Sequence, residues 1–147
     1  IAKVETFIAR GNVIFESRAA APALEKKLAA RLLGALGYEV ATFLRTDREV
    51  AAVAGYRPFA APAMKSARAL CVGFLATAPT PAARRLILGF QSEIDDFHVH
   101  GREFYWMVRK KQSESKFTNA AFERAVGMRA TFRGLNTVQR LAKKYPP

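Results

Sequence analysis

The sequence predicts an α+β protein made of two halves of the same kind. Three observations carry this. Short apolar runs have strand character, longer segments repeat their apolar residues every three or four positions, and glycines or prolines separate the two kinds. Over residues 69–132 the order is strand, helix, strand, strand, helix, strand. Residues 1–46 show the last four members of the same series.

The elements follow in order. Val4, Thr6, Phe7 and Ile8 form one strand, and Val13, Ile14 and Phe15 form a second. Between them Arg10-Gly11-Asn12 supplies residues that tolerate a tight hairpin turn. Ser17 to Pro22 is a small-residue connector. Ala23 to Leu36 is a helix with Leu24, Leu28, Leu32 and Leu36 on one face, stopped by Gly37. Glu39 to Arg45 is a strand. Thr46-Asp47 caps a short helix, Arg48 to Ala54. Gly55 to Ser66, with Pro58 and Pro62, is a linker. Ala69 to Ala76 is an apolar strand. Pro81 to Gln91 is a helix with Ala83, Leu86, Ile87 and Phe90 inward. Asp96 to His100 and Glu103 to Arg109 form a hairpin around Gly101-Arg102. Thr118 to Val126 is a helix stopped by Gly127, Arg129 to Phe132 a strand, and Asn136 to Lys144 a last helix.

This order is the split βαβ pattern of ferredoxin-like folds. It gives an incomplete first half over residues 1–46 (ββαβ, its opening strand and helix missing). A short helix and linker follow over 47–68. A complete second half with a C-terminal helix covers 69–147. No internal sequence repeat supports the division, which rests on element order.

Composition narrows the function. Half of the 147 residues are hydrophobic and 24% are charged, which is the balance of a folded globular chain. No apolar run approaches the roughly 20 residues of a membrane span, and no signal peptide is visible. The single cysteine, Cys71, forms no internal disulfide and points to a cytoplasmic, reducing setting. One cysteine and two histidines make a structural zinc site a poor fit, and no cofactor motif is present. The formal net charge is +12, and residues 101–147 carry 11 basic and 3 acidic groups. Such a concentration attracts phosphates or nucleic acid, although basic proteins without such ligands are common.

The best candidate site lies in this basic third. Ser115-Lys116-x-Thr118-Asn119 opens one helix and Arg133-x-x-Asn136-Thr137 another. Helix starts present free N–H groups and partial positive charge, and Lys116 and Arg133 add full charge. If the two starts lie together, Lys116 and Arg133 clamp one anion. Ser115, Thr118 and Asn136 read alternatively as plain N-caps. Phe104, Tyr105 and Trp106 beside Arg109-Lys110-Lys111 read either as a base-stacking platform or as core. His98 and His100 share a strand face but lack further ligands of fixed geometry. Cys71 reads as a buried hydrophobe, and Glu93, Asp95 and Asp96 as a solvated loop. No catalytic signature is present.

Three stretches resemble a known family. Arg10-Gly11-Asn12-Val13-Ile14-Phe15 is similar to its "SGNVVF" hairpin, and Ser115-Lys116-Phe117-Thr118-Asn119 to its "SKLTN". Ala130-Thr131, Arg133 and Asn136-Thr137-Val138 are similar to its "AT-R-x-x-NTV". The family is the mainly bacterial domain of unknown function 1697. The resemblance implies a two-lobed ferredoxin-like α+β fold and no established activity. The family's "LLRGINVGG"-like opening strand and following helix have no counterpart here. Arg10 replaces its usual serine, and Gly134-Leu135 its frequent asparagine–tryptophan pair.

The sequence thus leads to a binding protein with a basic anion-binding or phosphate-binding surface. Its residues are Ser115, Lys116, Thr118, Asn119, Arg133, Asn136 and Thr137, and its ligand is nucleic acid or a phosphorylated small molecule. Two other readings stand beside it. One is an enzyme acting on a phosphorylated or carboxylated substrate through the missing N-terminal loop. The other is a module that forms a homodimer through an open sheet edge.

Overall fold

A computed structural model of the chain describes residues 2–6, 12–16, 23, 24, 26–28, 30 and 43–147. The chain divides into two compact units, Ile1–Leu44 and Arg45–Pro147.

In the first unit, β1 (Ala2–Thr6) pairs antiparallel with β2 (Val13–Glu16), with Glu5 opposite Ile14 and Thr6 opposite Val13. The expected hairpin is present. Phe7 and Ile8 of its expected first strand, its Arg10-Gly11 turn, the 17–22 connector, the helix beyond residue 30 and Gly37 lie outside the described residues. Residues 23, 24, 26–28 and 30 are helical, and Leu24 is buried as its spacing requires. The strand expected from Glu39 to Arg45 does not include Phe43, Leu44 or Arg45, which have no regular structure; residues 39–42 lie outside the described set.

The second unit opens with α1 (Asp47–Gly55). Thr46 Oγ1 accepts from the Glu49 N–H at 3.1 Å, and Glu49 Oε1 accepts from the Thr46 N–H at 3.0 Å. This reciprocal cap satisfies two backbone donors and fixes where the helix begins. The expected linker holds a further helix, α2 (Ala61–Ser66). Pro62 does not break it, because a proline in the first helical turn removes an N–H that has no intrahelical partner anyway.

Four strands then form one antiparallel sheet: β3 (Ala69–Leu75), β4 (Asp95–His100), β5 (Glu103–Val108) and β6 (Ala130–Gly134), in the order β4-β5-β3-β6. α3 (Pro81–Leu88) follows β3, α4 (Asn119–Val126) follows β5, and α5 (Leu135–Lys144) follows β6. Thr80 caps α3 and Thr118 caps α4. Gly127 ends α4 at φ 74° and Gly101 turns the β4–β5 hairpin at φ 59°, a backbone region that favours glycine.

Register assigns the faces of the sheet, since directly paired residues point the same way. Cys71, Trp106 and Phe97 align on one face, with Gly73, Phe104 and Val99 in the next row. Ile87 of α3 and Phe122 of α4 cover this face. Phe117 sits at the hub, with its ring centroid 4.8 Å from Trp106, 4.9 Å from Phe97 and 5.0 Å from Phe90. Val72, Tyr105 and His98 align on the opposite face. There the Tyr105 hydroxyl donates to the Val53 carbonyl of α1, and α5 packs on α1 and β3.

All six residues of β5 are therefore buried. Phe104, Tyr105 and Trp106 form no base-stacking platform, because helices occupy both faces. Leu86, expected inward, is 48% exposed. At about 100° per residue it lies about 80° from the centre of the narrow Ala83–Ile87 stripe.

Candidate functional site

The seven expected site residues fall into two groups. Ser115 does not open a helix. Its hydroxyl donates to Asp95 Oδ1 at 2.8 Å and accepts from the Phe117 N–H at 3.0 Å. Asp95 is only 4% exposed, and it also accepts from Trp106 Nε1 at 2.8 Å and Ser92 Oγ at 2.8 Å. Asp95 is thus a buried structural pin and not part of a solvated loop. Thr118 is the cap of α4. Asn119 Nδ2 donates to the Ala130 carbonyl at 3.4 Å, and Lys116 is exposed.

Arg133 belongs to the other face of the sheet, because it pairs with Val72. Its Nη1 donates to Thr131 Oγ1 and to the Phe132 carbonyl, both at 2.8 Å, and burial pushes its pKa down. Gly134, without a side-chain cap, precedes α5; Asn136 is exposed and Thr137 half-buried. Ser115, Phe117 and Asn119 accompany the Phe122 face, whereas Arg133 lies on the Val72 face.

A different feature unites part of the basic third. Arg109 is paired with Asp96. Lys110, Lys111, Lys116, Arg124 and Arg129 are exposed, and none enters an ion pair among the described residues. All five belong to residues 109–129, the connection from β5 through α4 to β6.

The sequence reading missed a cleft of about 260 Å³ between α1 and the β4–β5 hairpin. Glu49, Ala52 and Val53 line it from α1, and His100, Arg102, Glu103 and Tyr105 from the hairpin. Arg102 Nη2 meets Glu49 Oε2 at 2.5 Å. Burial pushes the Glu49 carboxyl up, but the Thr46 N–H, Arg102 and the Thr46 hydroxyl outweigh it and hold the pKa below its ordinary value. Arg45 Nε meets Glu103 Oε2 at 2.9 Å, and Arg45 Nη2 donates to the Leu75 and Arg102 carbonyls. Burial, with Glu103 and Tyr56 nearby, pushes the Tyr105 phenol up. Nothing local links Arg45 to a residue 58 positions on, so the sequence offered no signal for this pair.

Beside the cleft, Tyr56 Oη lies 2.6 Å from His98 Nε2, and the Tyr56 ring stacks on His100 at 4.0 Å. Burial pushes the His98 pKa down, and the charges of His100 and Arg84 lower it further. The His98-Val99-His100 alternation did put both rings on one face, but their partner, Tyr56, lies in the supposed linker. No group of three His, Cys, Asp or Glu side chains among the described residues is placed to hold a metal ion. Cys71 is half-buried with Gln112 Nε2 at 3.2 Å from its sulfur, and burial pushes the thiol up, away from thiolate character.

Comparison with known proteins adds one finding. The sequence model of the family described as "Protein of unknown function (DUF1697)" matches residues 1–105. The chain belongs to this DUF1697 family. The match spans the β1–β2 hairpin and ends within β5, so the resemblances at 115–119 and 130–138 lie beyond it. No curated protein and no solved structure matches. Among the described residues, no helix is long and apolar enough to cross a membrane.

Proposed function

We propose that this DUF1697 chain binds single-stranded nucleic acid through the cations of residues 109–129. The observation that supports this is the set of five exposed side chains Lys110, Lys111, Lys116, Arg124 and Arg129, none of which enters an ion pair among the described residues. Surface cations already neutralised by carboxylates release few counterions on binding, whereas unpaired ones drive phosphate binding. The ligand is a polyanion and not one clamped phosphate, because Arg133 lies on the opposite face from the Ser115 segment. Within this reading Lys116 contacts phosphate, while Ser115, Thr118 and Asn119 hold its loop. Arg133, Asn136 and Thr137 take no part in that contact.

The fold behind the surface is read as a ferredoxin-like split βαβ half over residues 69–134. The antiparallel order β4-β5-β3-β6, with helices after β3 and β5, supports it. The β1–β2 hairpin followed by helical residues supports a related first half. A single half-buried cysteine fits a reducing, cytoplasmic setting.

The test is fluorescence anisotropy of a labelled single-stranded oligonucleotide at low salt. Replacing Lys110, Lys111 and Lys116 together by alanine is expected to weaken binding by at least about tenfold. Absence of binding by the unaltered protein contradicts the proposal.

A further inference from the structure

The cleft between α1 and the β4–β5 hairpin has a chemistry unlike the basic surface. Two carboxylates line it, those of Glu49 and Glu103. Both Glu49 oxygens are used, Oε1 by the Thr46 N–H and Oε2 by Arg102. Glu103 is only 8% exposed, and Arg45 occupies its Oε2 alone. Its Oε1 accepts no hydrogen bond among the described residues and lies 3.9 Å from where a side chain on Gly101 would begin. Every fully buried side-chain nitrogen or oxygen among those residues has a partner. Glu103 Oε1 is therefore accessible, on the side of Gly101, which lines the cleft.

Donors for an anion are scarce there. Arg102 gives Nη2 to Glu49 and Nη1 to the Ala76 carbonyl, and the Tyr105 hydroxyl is committed to Val53. The remaining lining is Ala52, Val53, Gly101, the Tyr105 ring and one polar group, His100, whose ring stacks on Tyr56. An ionised carboxylate oxygen with a vacant lone pair, held by a buried partner, accepts a strong charge-assisted hydrogen bond from an ammonium group.

We infer that this cleft is a binding site for a small amine, its N–H donated to Glu103 Oε1 and its carbon skeleton set against Ala52, Val53 and Tyr105. The volume, below the roughly 300–1,000 Å³ of drug-sized sites, selects a small ligand. The inference is independent of nucleic-acid binding, since none of the 109–129 cations lines the cleft.

The probes are benzylamine, protonated at neutral pH, and benzoate, of similar shape and opposite charge. Binding is read from saturable NMR shifts of Tyr105 and His100. Benzylamine is expected to saturate, benzoate to leave both residues unmoved, and Glu103→Gln to weaken benzylamine at least tenfold. No saturable shift, equal binding of benzoate, or unchanged binding by Glu103→Gln overturns the inference. If circular dichroism shows that Glu103→Gln does not fold, Ala52→Trp decides, because position 52 is exposed on α1 and a bulky ring there fills the cleft. Loss of benzylamine binding supports the site, and its retention overturns it.

Discussion

Ser115 Oγ lies 2.8 Å from Asp95 Oδ1, the oxygen that also accepts the Trp106 indole N–H. This places the serine of a promising anion motif inside a buried hydrogen-bond network that ties the loop before α4 to the start of β4. Removing the carboxylate leaves the indole N–H and the hydroxyl protons of Ser92 and Ser115 without their acceptor. Asp95→Ala is expected to cost about 3 kcal/mol and Ser115→Ala about 1–2 kcal/mol in urea unfolding. If Ser115 acts only by holding the loop of Lys116, Ser115→Ala is expected to weaken oligonucleotide binding less than Lys116→Ala does; a larger loss in a fully folded Ser115→Ala protein contradicts this placement.

Phe117 fills the position between Lys116 and Thr118 in the same motif and packs against the rings of β4, β5, α4 and β6. Phe117→Ala is expected to destabilise the second unit by about 3–5 kcal/mol. Thermal unfolding followed by Trp106 fluorescence measures it, and a change below about 1 kcal/mol argues against a central position for this ring.

Gly73 marks a close approach in the sheet. A Cβ there would lie 2.4 Å from the Phe104 ring, which is fully buried and cannot withdraw to solvent. Gly73→Ala is expected to cost about 1–3 kcal/mol through overpacking. The double variant Gly73→Ala/Phe104→Leu recovers part of that cost if the ring is the obstacle, as chemical denaturation will show.

His98 gives the fold a pH dependence. Its pKa is lowered in the folded protein, first by burial and then by His100 and Arg84, so the unfolded chain takes up the proton more readily. Its contribution to stability is complete above the unfolded value of about 6.5 and is lost as pH falls through the lowered folded pKa. Melting temperature should therefore fall on acidification below pH 6.5, and less steeply in His98→Gln, which keeps a partner for Tyr56. Glu49 acts in a separate, more acidic window, its contribution fading as pH falls below about 4.3. An identical pH profile for His98→Gln between pH 7.5 and 5.5 rules the His98 contribution out.

Local signals were legible and long-range ones were not. Thr46, Thr118, Gly101 and Gly127 announce caps and turns through their own chemistry, and the structure uses them so. The sequence left Phe104, Tyr105 and Trp106 as platform or core, and the burial of all six β5 residues decides for core. α2 was hidden because prolines mark linkers and first helical turns alike. Among the candidate site residues, Thr118 showed its capping role in sequence. The Asp95–Ser115 network and the Arg45–Glu103 pair arise from tertiary packing, as does the pairing of Arg133 with Val72.

The proposed nucleic-acid surface consists of the exposed cations at 109–129. The most direct measurement is the salt dependence of oligonucleotide affinity, for the unaltered protein and for Lys110→Ala/Lys111→Ala/Lys116→Ala. Each lost phosphate contact should reduce the slope of log K against log salt by about 0.7, so the triple variant is expected to shallow it by about 2. An unchanged slope, or affinity independent of salt in the unaltered protein, contradicts the account.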